Sequence, residues 1–412
     1  NLNLNRDYVK ADSPEMRAML GLLRSVDPTL YLDLHVTDGA DYAYDVTYGY
    51  EGWDGRYGRS TRIAAWLEST LRPALDAGLT RQGHVPGPLV FAADDQDPAK
   101  GVAHFAGTPR FSTGYGDLTR IPTVLVENHS LKPYRQRVLG TYVLLEESLK
   151  ALATGGAALK AAVAADRAER PAEVASGWRP SEQPVDTWRF RTIANERRVS
   201  PITGREEVIW LGREGPTVDA PVFGQTPGAT LPRPTAYWVP VTKPEVIERL
   251  RAHGIAFETL TEPRTVSVTL LRVEGPRLAS SVNEGRVGVT IQGVGEVVRE
   301  ETFPAGSVRV PTDQPLGDLA VVMLDPRSPD GLFAWGFFPE ILQRTEYVEA
   351  YFMAPLAERM LRDDPALKAA YEAKLASDPA FAADADARLA WFYERTPYYD
   401  ARFRLYPVGL ER

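Results

Sequence analysis

Thr29-Leu30-Tyr31-Leu32-Asp33-Leu34-His35, followed at once by Val36-Thr37-Asp38-Gly39, is the stretch on which the fold turns. Six of its seven residues are apolar, β-branched, aromatic or histidine, the make-up of a buried sheet strand. The polar turn containing Gly39 ends it. A histidine at the carboxyl end of such a strand points into the crevice where open α/β sheets bind ligands. A lone histidine on an apolar strand is more often a hydrogen-bonded part of the core. His35 therefore takes its meaning from its company.

That company is two other stretches. Upstream lies Asn1-Leu2-Asn3-Leu4-Asn5-Arg6-Asp7-Tyr8, and downstream Thr123-Val124-Leu125-Val126-Glu127-Asn128-His129, a second apolar run closed by a carboxylate. With Asn5-Arg6, His35 and Glu127 in this order, the first 150 or so residues resemble the zinc carboxypeptidases, the relatives of carboxypeptidase A. The resemblance implies an α/β fold, a mixed sheet with flanking helices, and metal-assisted hydrolysis of the last peptide bond. It casts His35 as a Zn2+ ligand, Glu127 as general base, and Asn5 and Arg6 as the pair that holds the substrate's terminal carboxylate. Tyr115 matches the family's mobile substrate-binding tyrosine by position, although a tyrosine packed in a turn fits there too. One departure stands beside the match. The family's other two zinc ligands come from a His-x-x-Glu motif ahead of the Asn-Arg pair. None of His35, His84, His104, His129 and His253 has Glu three positions on. The amino-terminal part of the catalytic domain is accordingly expected to be missing from this chain. Zinc is expected to be absent or poorly held, since a catalytic site wants three protein ligands.

Composition sets outer limits. At 412 residues, two or three domains are expected. With 44% hydrophobic and 25% charged residues the chain reads as globular. A net charge of −8 argues against a nucleic-acid partner, and no apolar run is long enough for a membrane span. Having no cysteine, the chain has no disulfide and no cysteine chemistry. That fits reducing and oxidising compartments alike; a periplasmic or secreted location is the expectation.

Along the chain, Ser13-Pro14-Glu15 predicts a capped helix start, with Met16, Met19, Leu20 and Leu23 on one face. Asp41 to Tyr57 reads as a long aromatic loop, either pinned by buried rings or forming the rim of a cleft. Ile63 to Leu75 predicts a helix bent at Pro73, and Pro88 to Phe91 a short strand. Gly107 to Gly116 reads as a loop. From Tyr134 the spacing Val138, Tyr142, Leu145, Leu149 predicts a helix broken at Gly155-Gly156. The predicted organisation is a catalytic domain over 1–170, a linker over 171–184, a mainly β accessory domain over 185–330, and a helical aromatic tail over 331–412. In the accessory region, short β-branched runs suggest an antiparallel sheet or sandwich, interrupted by a helix at Lys243–Leu250. The tail, with Trp335, Phe337, Phe338, Tyr347, Tyr351, Phe352, Trp391, Phe392 and Tyr393, is expected to pack back on the rest.

The chemistry of the candidates follows from their types. A bidentate guanidinium such as Arg6 suits a carboxylate, and a buried carboxylate such as Glu127 is rarely left without a task. Asp33 shares a strand face with His35, where it either orients the imidazole or plays a separate structural part. The expected partner is a peptide with a free C-terminus. Two other functions compete: a zinc deacylase of N-acyl amino acids, and a catalytically inactive binding protein that keeps the fold.

Overall fold

The computed structural model describes residues 2–89, 91–94, 97–103, 107–344 and 349–412. Helix α1 spans Pro14–Val26. Ser13 caps it, its hydroxyl accepting from the Met16 amide at 3.1 Å, and Ser13 is in turn held by Asp7 at 2.7 Å. Asp27, at φ 45°, closes the helix by donating its amide to Leu23. Met16, Leu20 and Leu23 are buried, as their spacing predicts.

Strand β1 (Tyr31–Val36) follows, then β2 (Val46–Gly49). Next come helices α2 (Thr61–Trp66) and α3 (Arg72–Arg81), strand β3 (Pro86–Pro88), helix α4 (Ser112–Thr119), strand β4 (Thr123–Asn128) and helix α5 (Tyr134–Arg167). The strands form a mixed sheet in the order β1-β4-β2-β3. β1 and β4 are parallel over six rungs, β4 and β2 antiparallel, β2 and β3 parallel. Alternation sorts the sheet's two faces. Val46, Tyr48, Val124 and Val126 pack on Leu67, Leu71, Leu75, Leu79, Val143 and Leu144 of the helices, while Thr47, Gly49, Leu125 and Glu127 face a cavity.

Four expectations need correction. Asp41 to Tyr57 is not all loop, because Val46–Gly49 is a central, fully buried strand. It is only four residues long, too short for a period to register among tyrosines and glycines. Gly107 to Gly116 is not all loop either, since its second half opens α4. Gly114 and Gly116 are needed there for close packing: a Cβ on Gly114 would lie 2.2 Å from the Gly107 carbonyl oxygen. The predicted break at Gly155-Gly156 does not occur, and α5 runs unbroken through both. Gly155 instead makes room for Trp66, whose indole N–H donates to the Gly155 carbonyl at 3.0 Å. The strand expected at Pro88–Phe91 divides into Pro86–Pro88 and Phe91–Ala92, and Val90 lies outside the described residues. The bend at Pro73 takes the form of a wider, π-type turn over Leu67–Leu71 just ahead of it, the adjustment a missing amide demands. The stripe Val138, Tyr142, Leu145, Leu149 does mark a helix, but it lies on the outer face. Tyr142 is 64% and Leu149 68% exposed, and the inner face is Gly140, Val143, Leu144, Glu147 and Ala151.

Beyond α5, Glu173–Pro180 is a strand paired antiparallel with Gln225–Pro232. Asp186–Val199 and Glu206–Phe223 form a long hairpin. A six-stranded sheet follows in the order 258–259, 308–311, 236–239, 409–411, 264–274, 293–303. Its neighbours are antiparallel wherever they pair, and the chain's last strand sits in its interior. Helix Pro244–His253 ends at Gly254, φ 80°, as its signals predict. The tail divides. Phe333, Trp335, Phe337 and Phe338 join the largest core, together with Tyr8, Leu20, Tyr115, Leu250 and Leu319. Trp391, Phe392 and Tyr393 form a separate cluster with Met353 and Phe381. Tyr351 and Phe352 are exposed, and Tyr347 lies outside the described residues. No helix among the described residues is long and apolar enough to cross a membrane.

Candidate active site

The cavity on the sheet's open face has a volume of about 360 Å³. Four of the five residues singled out from the sequence line it: Asn5, Arg6, His35 and Glu127. His35 and Glu127 are direct register partners across the parallel β1–β4 ladder. Side chains at paired positions of a sheet leave the same face, so both reach the cavity from neighbouring strand ends. Thr47 of β2 stands opposite Glu127 on its other side.

Each side chain is held by something specific. His35 Nε2 lies 3.0 Å from Asp33 Oδ2, an ion-pair contact between positions two apart on one strand face. Asp33 is the main reason the imidazole titrates above its usual range, and the nearby Glu127 charge adds to the effect. Glu127 is pushed up to about 6, chiefly by burial and then by Asp38 and Asp33, with His35 pulling the other way. Its Oε2 has no hydrogen-bond partner among the described residues. A carboxylate so placed is ionised at neutral pH yet near enough to its midpoint to exchange a proton.

Asn5 and Arg6 belong to a short turn, Leu4–Arg6, capped by the Asn3 side chain on the Asn5 amide at 3.0 Å. The Asn5 side-chain oxygen accepts from the Ser112 amide at 2.8 Å and ties the turn to the start of α4. The Arg6 guanidinium stacks on Phe111 at 4.3 Å and donates to the Asn5 carbonyl at 2.8 Å. Stacking and this one bond fix a fork that still has donors for an anion.

Tyr115 is not brought to the site. It lies buried in α4, its hydroxyl 3.0 Å from His253 Nδ1 and its ring 5.3 Å from that of Tyr8. His129, two residues past Glu127, is also elsewhere employed: it accepts from the Tyr42 amide at 2.9 Å and lies 3.1 Å from Asp41. Sequence reasoning missed Asp38, Glu51, Phe111, Thr113 and Phe190, all of which line the cavity. Phe190 comes from the long hairpin and packs on Tyr42 and Tyr44 at 5.5 and 5.2 Å. No local signal ties so distant a residue to the site. Tyr44, Tyr48, Tyr50 and Trp53 are buried. Tyr44 and Tyr50 also line the cavity, so both readings of that aromatic segment apply.

Among the described residues, no group of three or more His, Asp or Glu side chains is gathered to hold a metal ion. His35 is engaged by Asp33 and faces a single carboxylate across the ladder. This donor set does not fit a three-ligand zinc site.

Comparison with known proteins bears on part of the chain. Over 110 residues it is 32% identical to Carboxypeptidase 2 of Trichophyton tonsurans, covering 27% of this chain and 20% of that protein. Carboxypeptidase 2 of Trichophyton rubrum is 31% identical over 113 residues, 27% of this chain and 21% of that protein. Probable carboxypeptidase 2 of Arthroderma benhamiae is 34% identical over 101 residues, 24% and 19% respectively. The matched stretch thus spans about a fifth of the length of these relatives, and the chain is distantly and partially related to fungal carboxypeptidases. No family model matches it, and no solved structure matches it.

Proposed function

We propose that this chain binds peptides by their free C-terminus and serves a carboxypeptidase reaction, with a fold of the zinc carboxypeptidase kind. The observation that carries the reading is the pairing of His35 with Glu127 over a cavity that Arg6 also lines. Arg6 holds the terminal carboxylate through a two-pronged hydrogen bond, which restricts the site to chain ends. Asn5 contributes by fixing the turn, because its side-chain oxygen is committed to Ser112. Glu127 takes the proton of the attacking water and passes it to the leaving amine. His35 and Asp33 place a positive imidazole beside that base at low pH and a neutral one at high pH. Zinc belongs to this reading through His35 alone. The described residues do not complete the metal's ligand set.

The partial relationship to carboxypeptidases supports the reaction class. The incomplete donor set favours a second reading, in which the cavity binds C-termini without cleaving them. One experiment separates the two. The purified chain, with and without added Zn2+, is given matched peptides ending in a free carboxylate or an amide, and binding and cleavage are both followed. Binding and release of the last residue only from free-carboxylate peptides is the expected result. Binding without cleavage selects the second reading, and equal treatment of acid and amide removes both.

A further inference from the structure

A second concavity lies apart from the candidate active site. Arg277–Leu278 pairs antiparallel with Val289–Thr290, and a tight turn joins them in which Asn283 and Arg286 exchange backbone hydrogen bonds at 2.8 and 3.0 Å. Glu284 and Gly285 take the positive φ values, 48° and 83°, that such a turn requires. The turn is tied down on both sides. Arg286 donates to Asp12 at 2.7 Å, and Glu284 accepts from the Asn3 amide at 2.9 Å. Between this hairpin, Arg110 and the segment 329–335 lies a pocket of about 220 Å³. Among the described residues it shares no lining residue with the cavity of His35 and Glu127.

Leu278, Val289, Pro329 and Trp335 give this pocket an apolar wall. Its charged residues are of one sign: Arg110 and Arg277 line it, and among the described residues no acid does. Arg110 lies over the Trp335 ring at 4.7 Å and is neutralised by Asp330 at 2.7 Å. Arg277 has no partner among the described residues, and neither has the side-chain amide of Asn283, which also lines the pocket. Trp335 is only 5% exposed, yet its indole N–H has no hydrogen-bond partner among the described residues. A buried indole normally finds one. The pocket thus carries one uncancelled positive charge and unspent donors beside apolar surface. A phosphate dianion exceeds that charge, and a neutral apolar molecule leaves the donors unpaired. A monoanionic carboxylate on an apolar body answers both, because the planar guanidinium fork matches its two oxygens.

We propose that this pocket is a binding site for small apolar carboxylates, gripped at the charged end by Arg277 and Asn283 and along the body by Leu278, Val289 and Trp335. The site is separate from the candidate active site and stands whether or not the chain is a carboxypeptidase. Its test follows the indole N–H resonance of Trp335 in the intact chain, assigned by its loss in Trp335→Phe. The chain is titrated with hexanoate, butyrate, hexanol and inorganic phosphate. Hexanoate is expected to shift the resonance saturably and to bind roughly tenfold tighter than butyrate, the effect of burying two more methylenes. Hexanol and phosphate should shift it little at the same concentrations. Arg277 is exposed, so its replacement spares the core. Arg277→Gln should weaken hexanoate roughly tenfold or more, and Arg277→Lys should weaken it less. A Trp335 resonance that hexanoate does not move overturns the proposal without any variant having to fold. So does an equal response to hexanol or to phosphate, or a hexanoate affinity that Arg277→Gln leaves unchanged. Arg6→Gln should leave the Trp335 response intact; its loss would put the ligand in the cavity of His35 and Glu127 and overturn the assignment.

Discussion

At the scale of single residues the candidate site is a set of charges held away from their usual protonation. Glu127 titrates near 6 instead of its ordinary 4.5, with burial the largest cause. A carboxyl raised on folding contributes stability that is fully present below the unfolded value and lost as pH rises through the folded one. Glu127→Gln removes that loss. The variant's stability relative to wild type should therefore improve between pH 4 and pH 8, as urea midpoints at several pH values would show. A flat difference would mean that Glu127 is not desolvated. In the active form the same substitution should lower turnover roughly a hundredfold to ten-thousandfold, the usual loss on removing a general base. His35 is raised from 6.5, mainly by Asp33. Its contribution is present below 6.5 and disappears as pH climbs through the raised value. Asp33→Asn should bring the His35 midpoint down, read directly from its ring-proton shifts. Two of these residues were legible in sequence because each closes an apolar run with a charge or an imidazole, a break in pattern that local order records. Glu51 was not, since nothing in Tyr50-Glu51-Gly52 says that its carboxyl will be enclosed.

Elements were legible where caps and periods agree, as in α1 and in the helix ending at Gly254. They were misread where glycine carried two meanings. Glycine breaks helices because it lacks a side chain, and it is retained within them when another group needs the space. Gly155 and Gly156 separate those meanings within one turn of α5. A Cβ on Gly155 would meet the Trp66 indole at 3.1 Å, whereas one on Gly156 has nothing within 4 Å. Gly156→Ala should stabilise the protein by about 0.5–1 kcal/mol through helix propensity and reduced unfolded-state freedom. Gly155→Leu should destabilise it by roughly 1–3 kcal/mol by overpacking. Thermal unfolding of the two variants checks the pair, and the same sign for both would contradict the packing described. The stripe Val138, Tyr142, Leu145, Leu149 teaches a related limit. A 3.6-residue period announces a helix, but which stripe is covered depends on partners a single segment does not reveal.

Across the whole molecule, segments far apart in sequence share one interior. α1 and α4 enter the same core as the helix at Pro244–His253 and the Phe333–Phe338 segment. Charges cross-link it: Arg120 donates to Asp318 at 2.7 Å, Arg233 donates to the other oxygen of the same carboxylate, and all three are nearly buried. Removing the shared acid strands two buried cations. Asp318→Ala should destabilise by about 3–5 kcal/mol, with the denaturant midpoint shifted and the slope unchanged if the interior unfolds as one unit. Such pairings were invisible in sequence: Asp318 heads the apolar run Leu319–Leu324, but nothing in that run names Arg120 or Arg233 as its partners. Composition does foretell a large interior, but not which distant segments will meet in it.

The order β1-β4-β2-β3 also has a consequence in time. Glu127 hangs on a strand with a neighbour on each side, and His35 hangs on the strand at the border. Openings at a border require fewer ladder bonds to break than openings in the middle, so they are more frequent. Amide hydrogens of 31–36 should accordingly exchange with deuterated solvent faster than those of 123–128. The imidazole can then drift out of register and return many times while its carboxylate partner stays put. The site is built from a fast half and a slow half, and it is complete only when the fast half is in place.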